Sequence, residues 1–119
     1  MTHGSDKQKA ELLPPIARGE LFFGVGYTEP GAGTDLASLL STAVRDGDEY
    51  VINGQKIYTT HAHDADYIWM AARTDPNAEK PHRGISIILV PTDAPGFSVT
   101  PIHTVGRERT NATLSLIHI

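Results

Sequence analysis

At 119 residues, the chain is long enough for one domain with a modest core, and its 39% apolar and 20% charged residues argue against a disordered or membrane-embedded protein. A formal net charge of −4, without any basic cluster, argues against binding to nucleic acid. The sequence contains no cysteine, which rules out disulfides and thiolate metal sites, and no apolar run reaches the length of a membrane span.

The first predicted element is a helix from Ser5 to Gly19. Ser5 and Gln8 have the spacing of a capping box, in which each side chain bonds to the other residue's backbone N–H. Apolar residues follow at helical spacing: Ala10, Leu13 and Ile16. Because proline lacks a donor and crowds the preceding turn, Pro14 and Pro15 are expected to break or kink this helix. Gly19 is expected to end it.

The rest of the chain predicts strands separated by turns. Asn53-Gly54 is expected to form a two-residue hairpin turn, because both positions tolerate positive φ. The segment from Gly84 to Val90 is apolar on both faces and predicts a central strand that is covered on both sides. The fold class is therefore mainly β, an antiparallel barrel or sandwich preceded by a short N-terminal helix. The predicted strands are Leu21–Val25, Thr42–Arg45, Glu49–Ile52, Gln55–Thr59, Asp66–Arg73, Gly84–Val90 and Phe97–His103.

One turn stands out, the stretch Tyr27-Thr28-Glu29-Pro30-Gly31-Ala32-Gly33-Thr34-Asp35. Its glycines leave no side chain in the way, and its threonines and aspartate supply oxygens. Such a loop can direct several backbone N–H groups at one place, as in sites for phosphates and for the polar edge of a flavin. A plain polar turn has the same composition, so the residues alone leave both interpretations open.

A second segment, Ile57-Tyr58-Thr59-Thr60, is by itself typical of a β strand. Together with the glycine-rich loop, it resembles the flavin-contacting segments of the acyl-CoA dehydrogenase family. The resemblance extends from about Gly4 to Thr113 and implies the family's arrangement of a β domain between two helical domains. Residues 1–19 would end the N-terminal helical domain, and residues 20–113 would form the β-barrel middle domain that binds flavin and acyl-CoA. Residues 114–119 depart from the family pattern and are expected to be a non-native tail of a gene fragment.

The resemblance implies FAD as the cofactor. Tyr58 would pack beside the isoalloxazine ring and Thr60 would hydrogen-bond near the flavin N5. Tyr27 and Thr28 would lie near the flavin N1 and O2, and Thr34 would touch the pyrophosphate or the bound acyl-CoA. The residues expected to bind the cofactor are Tyr27, Thr28, Gly33, Thr34, Tyr58, Thr59 and Thr60. The sequence departs from the family at His61-Ala62, where Asn-Gly is common, which puts the local turn and the substrate class in doubt.

The implied reaction is α,β-desaturation of an acyl-CoA thioester, with hydride transfer to the flavin. The family's base is usually a glutamate of the C-terminal helical domain, and no residue of this chain matches it, so the chain alone is expected to be inactive. The resemblance also implies an electron-transfer flavoprotein as partner, a homo-oligomeric parent enzyme, and a location in the bacterial cytoplasm or the mitochondrial matrix. The alternatives are an acyl-CoA oxidase or flavin-dependent monooxygenase of the same fold, or a cofactor-free β-barrel binding module.

Two further polar runs carry side chains that can bind ions. His61, His63, Asp64 and Asp66 offer metal-ligating groups, and two of them would share one side of an extended strand. No third ligand stands at a convincing spacing elsewhere, so the sequence predicts a polar connector and no metal site. The charged run from Arg107 to Asn111 is either a solvated loop or a place where Arg107 or Arg109 pairs with phosphate.

Overall fold

The computed structural model describes residues 3–105 and 111–117, and within these ranges the chain is mainly strand. The predicted mainly β fold with a leading helix is confirmed. No helix among the described residues has the length and apolarity that a membrane crossing requires. The elements are helix α1 (Asp6–Ala17) and strands β1 (Phe23–Gly26), β2 (Thr42–Asp46), β3 (Glu49–Thr60), β4 (Tyr67–Arg73), β5 (Ile85–Pro91), β6 (Phe97–Ile102) and β7 (Asn111–Ile117).

All seven of these strands belong to one sheet, in the order β1-β4-β2-β3-β7-β6, with β5 paired to β4. Strand β5 runs antiparallel along the whole of β4, and β1 and β2 share the opposite edge of β4. Both β1 and β2 are parallel to β4, whereas the other pairings are antiparallel. The prediction of an antiparallel barrel or sandwich therefore missed these two parallel pairings.

The main core lies on one face of this sheet. Alternation in β4 places Ile68, Met70 and Ala72 on that face, and all three are fully buried. Residues of β2, β3, β5 and β7 join the same cluster, so the sheet must curl around it. The buried members are Ala43, Ile52, Ala62, Ala65, Ile68, Met70, Ala72, Val90, Leu114 and Leu116.

Helix α1 begins as predicted, with Ser5 as N-cap and the reciprocal capping box to Gln8. The expectation that Pro14 and Pro15 break the helix was wrong, because the helix continues to Ala17, whereas the alternative of a kink stays a prediction. The chain leaves the helix at Gly19, whose φ of 71° suits a residue without Cβ. The Gly19 N–H bonds to Ile16 O and the next amide bonds to Pro15 O, which is the Schellman arrangement.

The predicted hairpin turn at Asn53-Gly54 was wrong. Strand β3 runs straight through both residues, and the reversal lies earlier, at Gly47-Asp48, where Gly47 has a φ of 62°. Gly54 serves a different purpose, because a Cβ at this position would overlap Ser41 Oγ. The glycine therefore allows close approach of Ser41 within the sheet rather than a turn.

The predicted central position of Gly84–Val90 was also wrong. Gly84 ends a short 3₁₀ turn (Pro81–Gly84), and β5 pairs only with β4 among the described strands. On the face away from the main core, Ile87 remains 41% exposed. The second apolar face of β5 is thus partly exposed to solvent in this domain.

The last described segment, strand β7, pairs with both β3 and β6. Its Leu114 and Leu116 are buried in the main core. Residues 114–117 therefore fold as part of the sheet. The non-native origin of residues 114–119 stays a prediction.

Candidate functional site

The glycine-rich loop from Tyr27 to Asp35 folds into a tight turn. Glu29 N–H donates to Ala32 O at 2.8 Å, and Ala32 N–H donates to Glu29 O at 3.2 Å. Pro30 and Gly31 form the tip between them, where the fixed φ of proline and the absence of a glycine side chain suit a reversal. Ala32 is buried in a cluster with Leu39 and with Ala71 of β4. The turn therefore lies against the face of the sheet opposite the main core.

A buried ion pair fastens this loop to strand β3. Lys56 Nζ lies 2.8 Å from Glu29 Oε1, and the two side chains are 0% and 6% exposed. The same carboxylate accepts the backbone N–H of Leu40 at 2.6 Å and of Ser41 at 2.9 Å. Lys56 Nζ also donates to Tyr27 O at 3.2 Å. Both charges are thus hydrogen-bonded, which a buried pair needs in order to persist.

Burial and hydrogen bonding compete in setting the charges of this pair. Burial raises the pKa of the Glu29 carboxyl, but hydrogen bonds from Lys56 and from the neighbouring donors outweigh it, so the pKa lies below its ordinary value. Burial lowers the pKa of the Lys56 ammonium, and the carboxylate of Glu29 opposes this only in part. The carboxylate is therefore well stabilised as an anion.

Glu29 and Lys56 were not among the predicted site residues. Lys56 occupies an inward position of β3, two residues after Gly54, where an apolar side chain is the usual occupant. A lysine at such a position signals a buried partner, but the sequence does not say which carboxylate it is. Glu29 acts here as an anchor of the loop, through its contacts with Lys56 and with the backbone of Leu40 and Ser41.

The two predicted flavin segments lie side by side. Ile57 N–H of β3 donates to Thr28 O at 2.9 Å, so the loop reaches β3 one residue before Tyr58. The structure thus brings Tyr27 and Thr28 next to the segment that carries Tyr58 and Thr60.

Strand β3 contains a β-bulge at this point. Lys56 pairs with Leu114 and Thr59 pairs with Ala112, so Ile57 and Tyr58 together face the single residue between those partners. Tyr58 has a φ of 60°, the left-handed region that is unfavourable for an aromatic residue. Its side chain is 63% exposed. The bulge therefore holds an aromatic ring outward on the surface beside the loop.

The extra residue also changes which side chains of β3 face inward. Lys56 is buried before the bulge and Thr59 is buried after it, with 1% exposure, whereas Thr60 is exposed. The Thr59 side chain thus packs into the domain, and in this conformation only its backbone can meet a ligand on the outer surface. Tyr58 and Thr60 are the members of this segment whose side chains are presented there.

The remaining predicted residues differ in how firmly they are held. Tyr27 OH accepts the Trp69 Nε1–H at 2.9 Å, so its ring is fixed against β4. Gly33 and Thr34 are exposed beyond the turn, and a Cβ added to Gly33 would meet nothing within 4 Å. The glycine therefore keeps the backbone accessible without being required by packing, as expected where a ligand approaches closely.

Arg73 supports the far end of the same loop. Its Nη2 donates to Ala37 O at 2.7 Å and its Nη1 donates to Pro81 O at 2.9 Å. The loop is thus fastened at one end by Lys56 and at the other by Arg73. The exposed aromatic ring of Tyr58, the Thr60 hydroxyl and the open backbone of Gly33 are groups of the kinds that contact a planar, polar-edged cofactor such as a flavin.

The histidine-rich run forms a turn rather than an extended strand. Asp64 N–H donates to His61 O at 3.0 Å, and His61 has a φ of 54°. The nitrogen and oxygen ligand atoms of His61, His63 and Asp64 all lie within 4.8 Å of one another. Besides the two histidines, the adjacent Asp64 supplies the third atom of this group. The predicted charged turn at Arg107 to Thr110 lies outside the described residues.

Comparison with known proteins points to one family. The model of the acyl-CoA dehydrogenase middle domain matches residues 24–117. Acyl-CoA dehydrogenase FadE29 of Mycobacterium tuberculosis is 64% identical over 112 residues, which cover 93% of this chain and 29% of that protein. The chain thus spans less than a third of the length of this relative.

Solved structures agree with this similarity. The Tcur3481-Tcur3483 steroid ACAD is 55% identical with a TM-score of 0.94, covering 100% of this chain and 31% of that chain. A glutaryl-CoA dehydrogenase from Mycobacterium smegmatis, solved in complex with FADH2, is 36% identical with a TM-score of 0.85, covering 99% of this chain and 29% of that chain.

Proposed function

The chain belongs to the acyl-CoA dehydrogenase family, and on this basis we propose that it is the flavin-binding middle domain of a FAD-dependent enzyme that desaturates acyl-CoA thioesters. The observation that carries the proposal is the hydrogen bond from Ile57 N–H to Thr28 O, 2.9 Å long. It joins the glycine-rich loop to β3 at the residue before Tyr58. The two segments expected to contact one planar ring are thereby held together.

In this proposal the chain binds and orients, and the proton is removed elsewhere. FAD, when bound, supplies the hydride acceptor for desaturation of the Cα–Cβ bond. The exposed ring of Tyr58 offers a face for packing, and the hydroxyl of Thr60 offers a donor beside it. The backbone around Gly33 and the hydroxyl of Thr34 provide polar contacts for a phosphate group or for the thioester substrate. Thr59 contributes through its backbone.

The rest of the site lies on parts of the enzyme beyond this chain. Since the chain spans 29% of FadE29, we propose that residues 1–19 end a preceding helical domain and that residues 20–113 form the middle domain. A glutamate of a C-terminal helical domain would be the base. We further propose an oligomeric enzyme of the bacterial cytoplasm that passes its electrons to an electron-transfer flavoprotein.

A bulky thioester is the substrate class that we favour. The support is the 55% identity to the Tcur3481-Tcur3483 steroid ACAD over the whole chain. Substrate selection by a pocket depends on its shape, and the chain contributes an exposed loop edge to that pocket. Steroid-like acyl-CoA thioesters are therefore expected to be used better than short straight-chain ones.

Two other functions remain as alternatives on the same fold: an acyl-CoA oxidase or flavin-dependent monooxygenase, and a binding module without cofactor. Reduction of the enzyme by acyl-CoA without oxygen, followed by slow reoxidation in air, favours the dehydrogenase over the oxidase. Lack of flavin absorption after reconstitution with FAD would favour the binding module.

The test uses the full-length enzyme and compares Tyr58→Ala, Thr60→Ala and Gly33→Ala with the wild-type protein. Each variant removes or obstructs one contact with the cofactor, and loss of a single hydrogen bond of about 1.4 kcal/mol weakens FAD binding roughly tenfold. Tyr50→Ala is the matched control, because Tyr50 is also an exposed tyrosine of β3 but lies near the other end of the strand. FAD affinity that is unchanged in all three variants would contradict the proposal.

A further inference from the structure

We propose that the turn carrying His61, His63 and Asp64 binds a divalent transition-metal cation, with Zn²⁺ as the expected ion. Two imidazoles and one carboxylate form a ligand set that suits Zn²⁺. The three ligand atoms lie within 4.8 Å of one another. This inference is independent of the proposed function, because it rests on the turn alone.

Two of the three separations between ligand atoms are close to those of a tetrahedral site. His63 Nε2 lies 3.2 Å and His61 Nδ1 lies 3.8 Å from Asp64 Oδ2. With metal–ligand bonds of about 2.0–2.2 Å, tetrahedral ligands stand roughly 3.3 Å apart. All three side chains reach solvent, so small rotations suffice to close the remaining difference. Three protein ligands leave the fourth position for a water molecule.

The backbone of the turn is built to keep these side chains together. His61 adopts a φ of 54°, which costs a non-glycine residue energy and persists only where the surroundings fix it. The hydrogen bond from Asp64 N–H to His61 O closes the turn at 3.0 Å. Ala62 is 1% exposed and anchors the turn in the main core. The two histidines are thereby set on either side of a fixed residue.

An aromatic contact with Phe22 orients the ring of His61. The ring of Phe22 lies edge-on to the ring of His61, with centroids 6.1 Å apart and an interplanar angle of 88°. Phe22 is held in turn by its N–H, which donates to Asp66 Oδ2 at 2.8 Å, and by its O, which accepts from Asp66 N–H at 3.0 Å. Asp66 is thus engaged by the backbone of Phe22, and Asp64 is the carboxylate that faces the histidines.

The experiment titrates the complete chain, prepared without an affinity tag, with Zn²⁺ by calorimetry and with Co²⁺ by visible absorption. We expect saturable binding of one Zn²⁺ per chain and, with Co²⁺, the intense ligand-field bands of a tetrahedral site. His63→Ala and Asp64→Asn should each weaken binding by at least the roughly 10- to 100-fold that follows loss of an outer-shell partner. His82→Ala is the matched control, since His82 is an exposed histidine on a different turn and should leave the affinity unchanged.

The Asp64→Asn variant keeps the test informative whatever the histidine variants do to folding, because the Asp64 side chain is 66% exposed and its amide analogue has the same shape. No saturable binding by the wild-type chain would overturn the proposal. So would binding that both His63→Ala and Asp64→Asn leave intact, or binding that His82→Ala weakens as strongly as they do.

Discussion

At the scale of the residue, Lys56 has a side chain that is fully buried and paired with Glu29. Lys56→Met removes one charge and leaves the other uncompensated inside the protein, which is expected to lower the free energy of unfolding by about 3–5 kcal/mol. Lys7→Met is the control, because Lys7 pairs with Glu11 at 3.9 Å on the surface, with 81% exposure. Its expected loss is below about 1 kcal/mol. Equal losses in urea denaturation would contradict this account.

The same pair makes stability depend on pH. The pKa of the Glu29 carboxyl is lowered in the folded state, so its stabilising contribution is present above the unfolded-state pKa and is lost as the pH falls through the folded-state value. The difference in free energy of unfolding between wild type and Glu29→Gln is therefore expected to be steady between about pH 5 and 7 and to narrow below about pH 4.

Urea denaturation at several pH values measures this difference. Glu11→Gln provides the reference, since the side chain of Glu11 is 62% exposed and its pair with Lys7 is a surface one. The wild-type and Glu11→Gln curves should remain nearly parallel over the whole range. A Glu29→Gln difference that stays constant down to pH 3 would show that this carboxylate does not contribute as described.

Gly54 and Gly33 differ in the space available for a side chain. Gly54→Ala would place a Cβ on Ser41 within the sheet, and such overpacking is expected to cost about 1–3 kcal/mol. Gly33→Ala meets nothing within 4 Å and is expected to change stability by less than about 0.5 kcal/mol. Thermal denaturation of the two variants checks the contrast, and a Gly33→Ala loss as large as that of Gly54→Ala would refute it.

At the scale of the element, the backbone strain of strand β3 lies at Tyr58, in the bulge. Tyr58 has a φ of 60°, which costs most side chains roughly 1–2 kcal/mol, whereas asparagine tolerates this region. Tyr58→Asn is therefore expected to be more stable than Tyr58→Ala by about 1 kcal/mol, although both remove the exposed ring. Chemical denaturation compares them directly. Equal stability of the two variants would mean that the bulge imposes no such demand.

Elements whose signals lie within a few residues were predictable from the sequence. The capping box of Ser5 and Gln8 needs only local spacing, and the two faces of β4 follow from alternation. Asn53-Gly54 has the local signature of a hairpin. Gly54 is instead required by the close approach of Ser41, which lies elsewhere in the sequence. The residues around Gly54 in the sequence could not reveal this contact, because only the pairing of β2 with β3 brings Ser41 beside the glycine.

At the scale of the whole molecule, the site was predictable only in part, for the same reason. The loop and the β3 segment could be chosen by their residues, and the structure brings them together. The pairing of Glu29 with Lys56 joins residues that are 27 apart in the sequence, and the residues around each of them do not indicate the other. The bulge that turns Thr59 inward depends on pairing with β7, which no pattern within β3 reveals.

The domain also leaves large apolar side chains open to solvent, among them Leu40 at 81% and Phe22 at 49% exposure. Since the chain spans 29% of FadE29, we expect such surfaces to be covered in the full-length enzyme. The isolated chain is therefore predicted to bind FAD weakly and to show no acyl-CoA-dependent reduction of an electron acceptor. Assays of the chain and of the full-length enzyme, run side by side, test this. Turnover by the isolated chain would contradict it.

The shared edge of β4 has a consequence for biosynthesis. The glycine-rich loop connects β1 to β2, and both of these strands are held in place by β4, which follows them in the sequence. A nascent chain leaving the ribosome therefore exposes the loop before the strand that will fix its ends has been translated. Until β4 emerges, the glycine-rich loop lacks the strand that pairs with its flanking strands, and a chaperone would meet it as an open stretch of polypeptide.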